Sequence, residues 1–194
     1  MSRKIIALVA TLAVFCTACG RPQGGQELLV HDFSISAEGW LVAGDTGPAG
    51  PIFHATGGRS GGYISNSDEA VGETWYFQAP ASVLAQLAAA DGGRLEYSLK
   101  QDAADAGFPD DDVVIVGEAG RLSYRFDYAP GANWTDFSVQ LSAAANWQWN
   151  WNARATEEQI RSVLNRPSRL AIRGEYRTGD DVGAMDRFAL TSRQ

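Results

Sequence analysis

The strongest constraint on this chain is an alternation of apolar and polar residues, with a period of two, in segment after segment. In "RLEYSLK", Leu95, Tyr97 and Leu99 take one set of positions and Glu96, Ser98 and Lys100 the other. "RLSYRFDY" does the same with Leu122, Tyr124, Phe126 and Tyr128, and "FSVQL" and "RLAIRGEY" repeat the pattern. Successive side chains of a strand point to opposite faces, so each segment reads as a strand with one buried and one wet face. "VVIV" (Val113–Val116) reads as a strand buried on both faces. Turns rich in glycine, asparagine and aspartate separate these runs, and about nine or ten short strands predict an all-β, two-sheet sandwich. Leu122, Tyr124, Phe126, Phe137, Val139, Leu141, Leu170 and Ile172 should face inward. Ser123 and Arg125 should face outward, because a slip of one residue would turn every side chain over.

Two segments break the alternation. "PASVLAQLAAADGG" (Pro80–Gly93) spaces Leu84, Leu87 and Ala88 as a helix would and ends on paired glycines. "TEEQIRSVLNRP" opens on Thr156 with Gln159 three residues on, the pattern of a capping box, and places Ile160, Val163 and Leu164 on one stripe. Both should be short helices packed on the sandwich.

The amino terminus has a different character. Arg3 and Lys4 precede an apolar run, Ile5–Phe15, that is too short to span a bilayer, which needs about 20 apolar residues. It has the length of a signal peptide's hydrophobic region. "CTAC" (Cys16–Cys19) resembles the lipobox of bacterial lipoproteins, although Cys16 stands where that motif usually has leucine. The resemblance implies a signal peptide over 1–18, with cleavage after Ala18 and acylation of Cys19. Residues 19–27 would then be a lipidated tether of Gly, Pro and Gln, and 28–194 the domain. Gly20 is not the aspartate that resembles an inner-membrane retention signal, so the expected place is the cell envelope, at the outer membrane or cell surface. The membrane would be met through the lipid alone.

On this reading the mature domain has no cysteine for a disulfide, a metal or a nucleophile. The chain carries a formal charge of -7, which argues against nucleic acid, since that partner wants a basic face. Catalytic constellations are missing from the sequence. The two histidines, His31 and His54, lack metal spacing, no G-x-S-x-G elbow occurs, and "GGRSGG" (Gly57–Gly62) is a turn without the lysine of a phosphate loop. No residue is expected to be catalytic.

The order of segments resembles the laminin B domain, or laminin domain IV. "DFSISAEGW" (Asp32–Trp40), "SGGYISNSD" (Ser60–Asp68), "TWYFQAP" (Thr74–Pro80), "GGRLEYSL", "DVVIVGEAGRL", "NWTDFSVQL" and the closing "ATEEQIRSVLNRPSRLAIRGEYRTGDDVGAMDRFAL" carry it. The resemblance implies an antiparallel jelly-roll β-sandwich like that of carbohydrate-binding modules, without catalytic residues. It also implies that Trp40, Trp75, Trp134 and Trp147 belong to the core. Many modules of this kind hold a structural Ca²⁺ where the first and last strands meet. By that resemblance the ligands here would be Asp32, Asp186 and the turn containing Gly62. Calcium takes six to eight oxygens, and a glycine-rich turn can present carbonyls. The alternative is that both aspartates cap turns or pair with arginines such as Arg187. "PDDD" (Pro109–Asp112) reads as a solvated acidic loop.

That leaves "NWQWNWNA" (Asn146–Ala153), where tryptophans alternate with amides. Indole rings stack on the apolar faces of sugars while amides bond hydroxyls, so Trp149 and Trp151 with Asn150 and Asn152 form the candidate ligand site. The alternative is ordinary packing under a loop. The function expected is binding of a glycan or another surface ligand by a lipid-anchored, non-enzymatic protein. The alternative is an accessory domain contacting an envelope or surface protein.

Overall fold

The protein, represented here by a computed structural model, is described over residues 25–46, 50–68 and 72–194. The signal segment, Cys19 and most of the tether lie outside the described residues. In chain order the strands are β1 (Glu27–His31), β2 (Leu41–Ala43), β3 (Ile52–His54), β4 (Tyr63–Ser67), β5 (Tyr76–Gln78) and β6 (Arg94–Gln101). There follow β7 (Val113–Gly117), β8 (Gly120–Tyr124), β9 (Thr135–Gln140), β10 (Gln148–Trp149), β11 (Ala153–Arg154), β12 (Pro167–Arg173) and β13 (Val182–Thr191). One sheet runs β3-β4-β13-β6-β9, with β1 also pairing β13, and the other runs β11-β10-β8-β7-β12-β5-β2. Every pairing is antiparallel. The all-β sandwich expected from the alternation is the fold observed. Pairing begins slightly ahead of the expected residue 28: Glu27 opens β1, and Gln26 N–H already donates to Ser192 Oγ.

Register follows the alternation. Leu122 lies opposite Ile115, and Leu95 opposite Val139, all four buried in the core. Tyr124 and Phe126 are half-buried and pack against that core from its edge. Trp40, Trp75 and Trp147 fill the interior, each with its indole N–H bonded, as buried polar groups require. Their acceptors are His31 Nδ1 at 2.8 Å, Asp181 Oδ1 at 3.3 Å and the Gln140 carbonyl at 2.9 Å. Trp75 lies flat against bare backbone. A methyl group added at Gly174 would come within 1.9 Å of its ring, so only glycine fits there.

The second helical segment is as expected. Helix α2 (Glu157–Asn165) starts on the capping box, with Gln159 N–H donating to Thr156 Oγ1 and Thr156 N–H to Gln159 Oε1. Ile160, Val163 and Leu164 are buried, and the helix packs on β7 and β8. The first segment departs from expectation. Only α1 (Ala81–Leu84) is helical, and the chain continues in tight turns, with Leu87 N–H bonded to the Leu84 carbonyl and Asp91 N–H to that of Ala88. That tighter winding turns Val83, Leu87 and Ala90 inward and leaves Ala88 exposed. No helix among the described residues is long and apolar enough to cross a membrane.

Candidate functional site

The tryptophan stretch does not run straight. Trp147 is buried and Trp149, opposite Leu122 on β8, packs half-buried at the core's edge. The chain then reverses from β10 into β11. Asn150 and Trp151 have φ of 45° and 68°, and Asn152 N–H donates to the Trp149 carbonyl at 3.2 Å. Positive φ at both central residues is the mark of a type I′ hairpin turn. The turn carries Trp151 away from the core and leaves it 68% exposed. Trp149 and Trp151 therefore form no shared platform. The side chain of Asn150 is engaged too, its Oδ1 accepting from Arg121 N–H at 2.9 Å, and Asn152 is exposed in the turn.

Trp151 instead borders a groove of about 690 Å³ on the outer face of the second sheet, with Asp111, Arg121, Ser123, Arg125, Asn146 and Gln148 along it. Strand register explains its position. Gln78, Ala171, Val114, Ser123 and Gln148 form one row across β5, β12, β7, β8 and β10. The middle three are buried although they face away from the core. The cover over this row is the segment Asp110–Asp112. The Asp111 carbonyl accepts from Tyr76 Oη on β5, and its carboxylate takes the Arg121 guanidinium on β8 at 2.7 Å. Arg121 also lies 4.8 Å from the centre of the Trp151 ring, a cation–π contact that steadies an otherwise exposed indole.

The acidic segment is not the solvated loop expected. Asp110 accepts from Thr74 Oγ1, Asp111 holds Arg121, and Asp112 is buried beside Arg173 at 3.5 Å, both side chains 3% exposed. Burial pushes the Asp112 carboxyl above its ordinary value, and the Phe126 N–H, the nearby Tyr176 hydroxyl and Arg173 pull it back. The Arg173 guanidinium lies between the Phe108 and Tyr176 rings, 4.5 and 4.3 Å from their centres, and donates to the Glu175 and Phe108 carbonyls. Here the sequence signal was missed: an acidic run followed by "VVIV" enters a buried strand, so its last carboxylate enters with it.

Trp134, expected in the core, is half-exposed on the outer face of the first sheet. With Phe137 and Val139 buried, the alternation itself sends Trp134 outward alongside Asp136 and Ser138. It packs edge-on against Tyr63, which stacks on His54, and the Lys100 ammonium lies 4.4 and 4.6 Å from the Tyr63 and Trp134 ring centres.

The calcium residues are brought together only in part. Asp186 is fully buried; its Oδ2 accepts from Arg59 N–H at 2.6 Å, and its Oδ1 has no hydrogen-bond partner. A methyl group built on Gly58 would sit 2.2 Å from the Gly62 carbonyl and 2.8 Å from Asp186 Oδ2. One built on Gly62 would sit 2.1 and 2.7 Å from the Phe33 and His54 carbonyls. The free Asp186 Oδ1 and the nearby Gly62 carbonyl are oxygens of the kind calcium takes, two of the six to eight it needs. Asp32 is not part of it: the side chain is exposed and closes its own turn by accepting from Ser34 N–H and Oγ. Among the described residues no group of three or more His, Cys, Asp or Glu side chains could hold a metal ion.

The chain is thus a two-sheet antiparallel β-sandwich with a polar groove and an exposed indole on one outer face. A family model, laminin B (domain IV), matches residues 76–194, more than half of the chain, and the chain belongs to that family. The L4b domain of human laminin alpha-2 superposes with a TM-score of 0.56 at 13% identity, over 67% of this chain and 80% of that one. The solution structure of the module CtCBM11 gives 0.52 at 12% identity, over 93% and 99%. The family 11 carbohydrate-binding module of a Clostridium thermocellum cellulase gives 0.48 at 11%, over 87% and 95%. The first two establish a shared fold. No curated protein matches the chain.

Proposed function

We propose that this domain binds a glycan in the groove beside Trp151, as a non-enzymatic protein held to the cell envelope by lipid on Cys19. The observation that carries the reading is an indole left 68% exposed by a defined turn at the rim of a polar groove. A large aromatic side chain is normally buried, and one held out over hydrogen-bonding groups provides an apolar face for a sugar ring. Arg121, Gln148 and Asn146 supply donors, and Asp111 an acceptor, within the same groove. The likeness of fold to a carbohydrate-binding module agrees with this reading. A calcium ion on Asp186 and the carbonyls of the Gly57–Gly62 turn would serve the scaffold. It would tie β13 to the turn before β4 in a domain without disulfides.

A screen of soluble polysaccharides by intrinsic tryptophan fluorescence tests the proposal. At least one glycan should shift the emission of the wild-type domain, with the shift absent in Trp151→Ala. A screen without any response, or equal responses from both proteins, would overturn it.

A further inference from the structure

A second cavity, of about 280 Å³, opens at the end of the sandwich, bordered by Phe108, Asp112, Phe126, Tyr128, Arg173 and Tyr176. Arg125 lines both this cavity and the groove beside Trp151, so the two meet at its side chain. Its Nε donates to the Asp110 carbonyl at 2.7 Å and its guanidinium lies 3.8 Å from Asp111, which leaves it spanning the junction.

Polar groups held against one another form the floor of the end cavity. Asp112 and Tyr176 are 2% and 7% exposed; Asp112 Oδ1 lies 3.5 Å from the Arg173 guanidinium, and the Tyr176 hydroxyl lies close to the same carboxylate. The Arg173 guanidinium, fixed between two rings and bonded to the Glu175 and Phe108 carbonyls, keeps that floor rigid. Tyr128 supplies the apolar side. It is 44% exposed and held by stacking on Phe137 at 5.0 Å, with its hydroxyl bonded to the Asp136 carbonyl. A flat aromatic face beside the exposed Arg125 guanidinium and Asp127 carboxylate suits a pyranose ring with its hydroxyls.

Charge limits the ligand further. In the groove Asp110 and Asp111 face Arg121 and Arg125; in the end cavity Asp112 and Asp127 face Arg125 and Arg173. Both cavities are balanced, within a chain of net charge -7. Neither offers the positive field that would gather a polyanion. We infer that the end cavity is a second sugar subsite, continuous across Arg125 with the groove, and that the ligand is an extended neutral oligosaccharide occupying both. The inference rests on the glycan reading of the groove and adds to it the ligand's length and charge.

Calorimetric titration of the domain decides it, using glucose, xylose and mannose oligosaccharides of increasing length, with alginate oligomers as the anionic probe. For one neutral series, affinity should rise by about tenfold or more once the chain is long enough to reach both cavities. Tyr128→Ala should remove that gain while leaving the affinity of the shorter members unchanged. Arg125→Gln, at an exposed position, should reduce it without loss of fold. Alginate should bind no better than the neutral series. Failure of every oligosaccharide to bind would overturn the glycan reading and this inference with it. Binding that Trp151→Ala abolishes, but that ignores chain length and Tyr128→Ala, would overturn the second subsite alone. Preferential binding of alginate would overturn the neutral class.

Discussion

Replacing Arg173 by methionine tests whether the floor of the end cavity is held as described. The guanidinium donates to two backbone carbonyls, lies 3.5 Å from Asp112, and is enclosed by Phe108 and Tyr176. Methionine keeps much of the apolar stem and removes every one of those polar contacts. Breaking a buried pair from one side costs about 3–5 kcal/mol, because the remaining charge stays buried without compensation. For a domain of this size each kcal/mol moves the melting point by about 2–4 °C, so Arg173→Met should melt about 6–20 °C lower. Adding Asp112→Asn should recover part of the loss, giving a non-additive cycle of about 0.5–3 kcal/mol.

The pH dependence follows from the same geometry. Asp112 already sits above the ordinary carboxylate value because of burial, and losing Arg173 removes a group that pulls it down. A carboxyl raised in the folded state binds its proton more tightly there than in the unfolded chain. Protonation therefore favours folding, and that stabilisation is lost as pH rises through the folded value. The deficit of Arg173→Met should thus shrink as pH is lowered from neutral toward the raised value of Asp112. Urea denaturation at several pH values measures it. A loss under about 1 kcal/mol, or a deficit that grows on acidification, would refute the buried-pair account.

Other perturbations probe the scaffold. Gly174→Ala drives a methyl group into the Trp75 ring and should leave little folded protein by near-ultraviolet circular dichroism, whereas Gly131→Ala, with open space around it, should fold normally. Thr156→Ala removes the cap of α2 and should cost about 1 kcal/mol in chemical denaturation, the usual worth of such a cap. Millimolar Ca²⁺ should raise the melting point, since a ligand specific to the folded state adds about 2.7 kcal/mol at a hundredfold excess over its dissociation constant. A chelator should reverse the rise, and Asp186→Ala should abolish it while Asp32→Ala leaves it intact; a melting curve indifferent to both reagents would make Asp186 an ordinary buried strand residue.

The alternation of apolar and polar residues was enough to read the sandwich, because pleating makes a period of two unavoidable wherever one face is buried. It even carried information that the family resemblance obscured. Trp134 shares the parity of Asp136 and Ser138, and the structure places it with them, outside. The binding face was harder to read, since its parts meet through turns and crossings that leave no periodic trace. Trp151 reaches the groove because two consecutive residues adopt positive φ, at positions where the local sequence reads as simple alternation. Asp112 and Arg173 are 61 positions apart and meet through the β12–β7 pairing. Asp32 and Asp186 show the reverse case. A plausible pairing across the termini fails because the short side chain of Asp32 bonds its own turn first.

The central claim, that a glycan lies against Trp151, is tested most directly by the indole N–H signals of the ¹⁵N-labelled domain. Trp40, Trp75 and Trp147 donate inside the core to His31, Asp181 and Gln140, whereas Trp151 projects at the groove. On titration with a glycan retained in the fluorescence screen, the Trp151 indole signal and the amide signals of Arg121 and Gln148 should move together along one saturating curve. The three core indoles should stay in place. Movement of the core indoles, or of Trp134 and its neighbours on the opposite sheet, with Trp151 unmoved, would contradict the account.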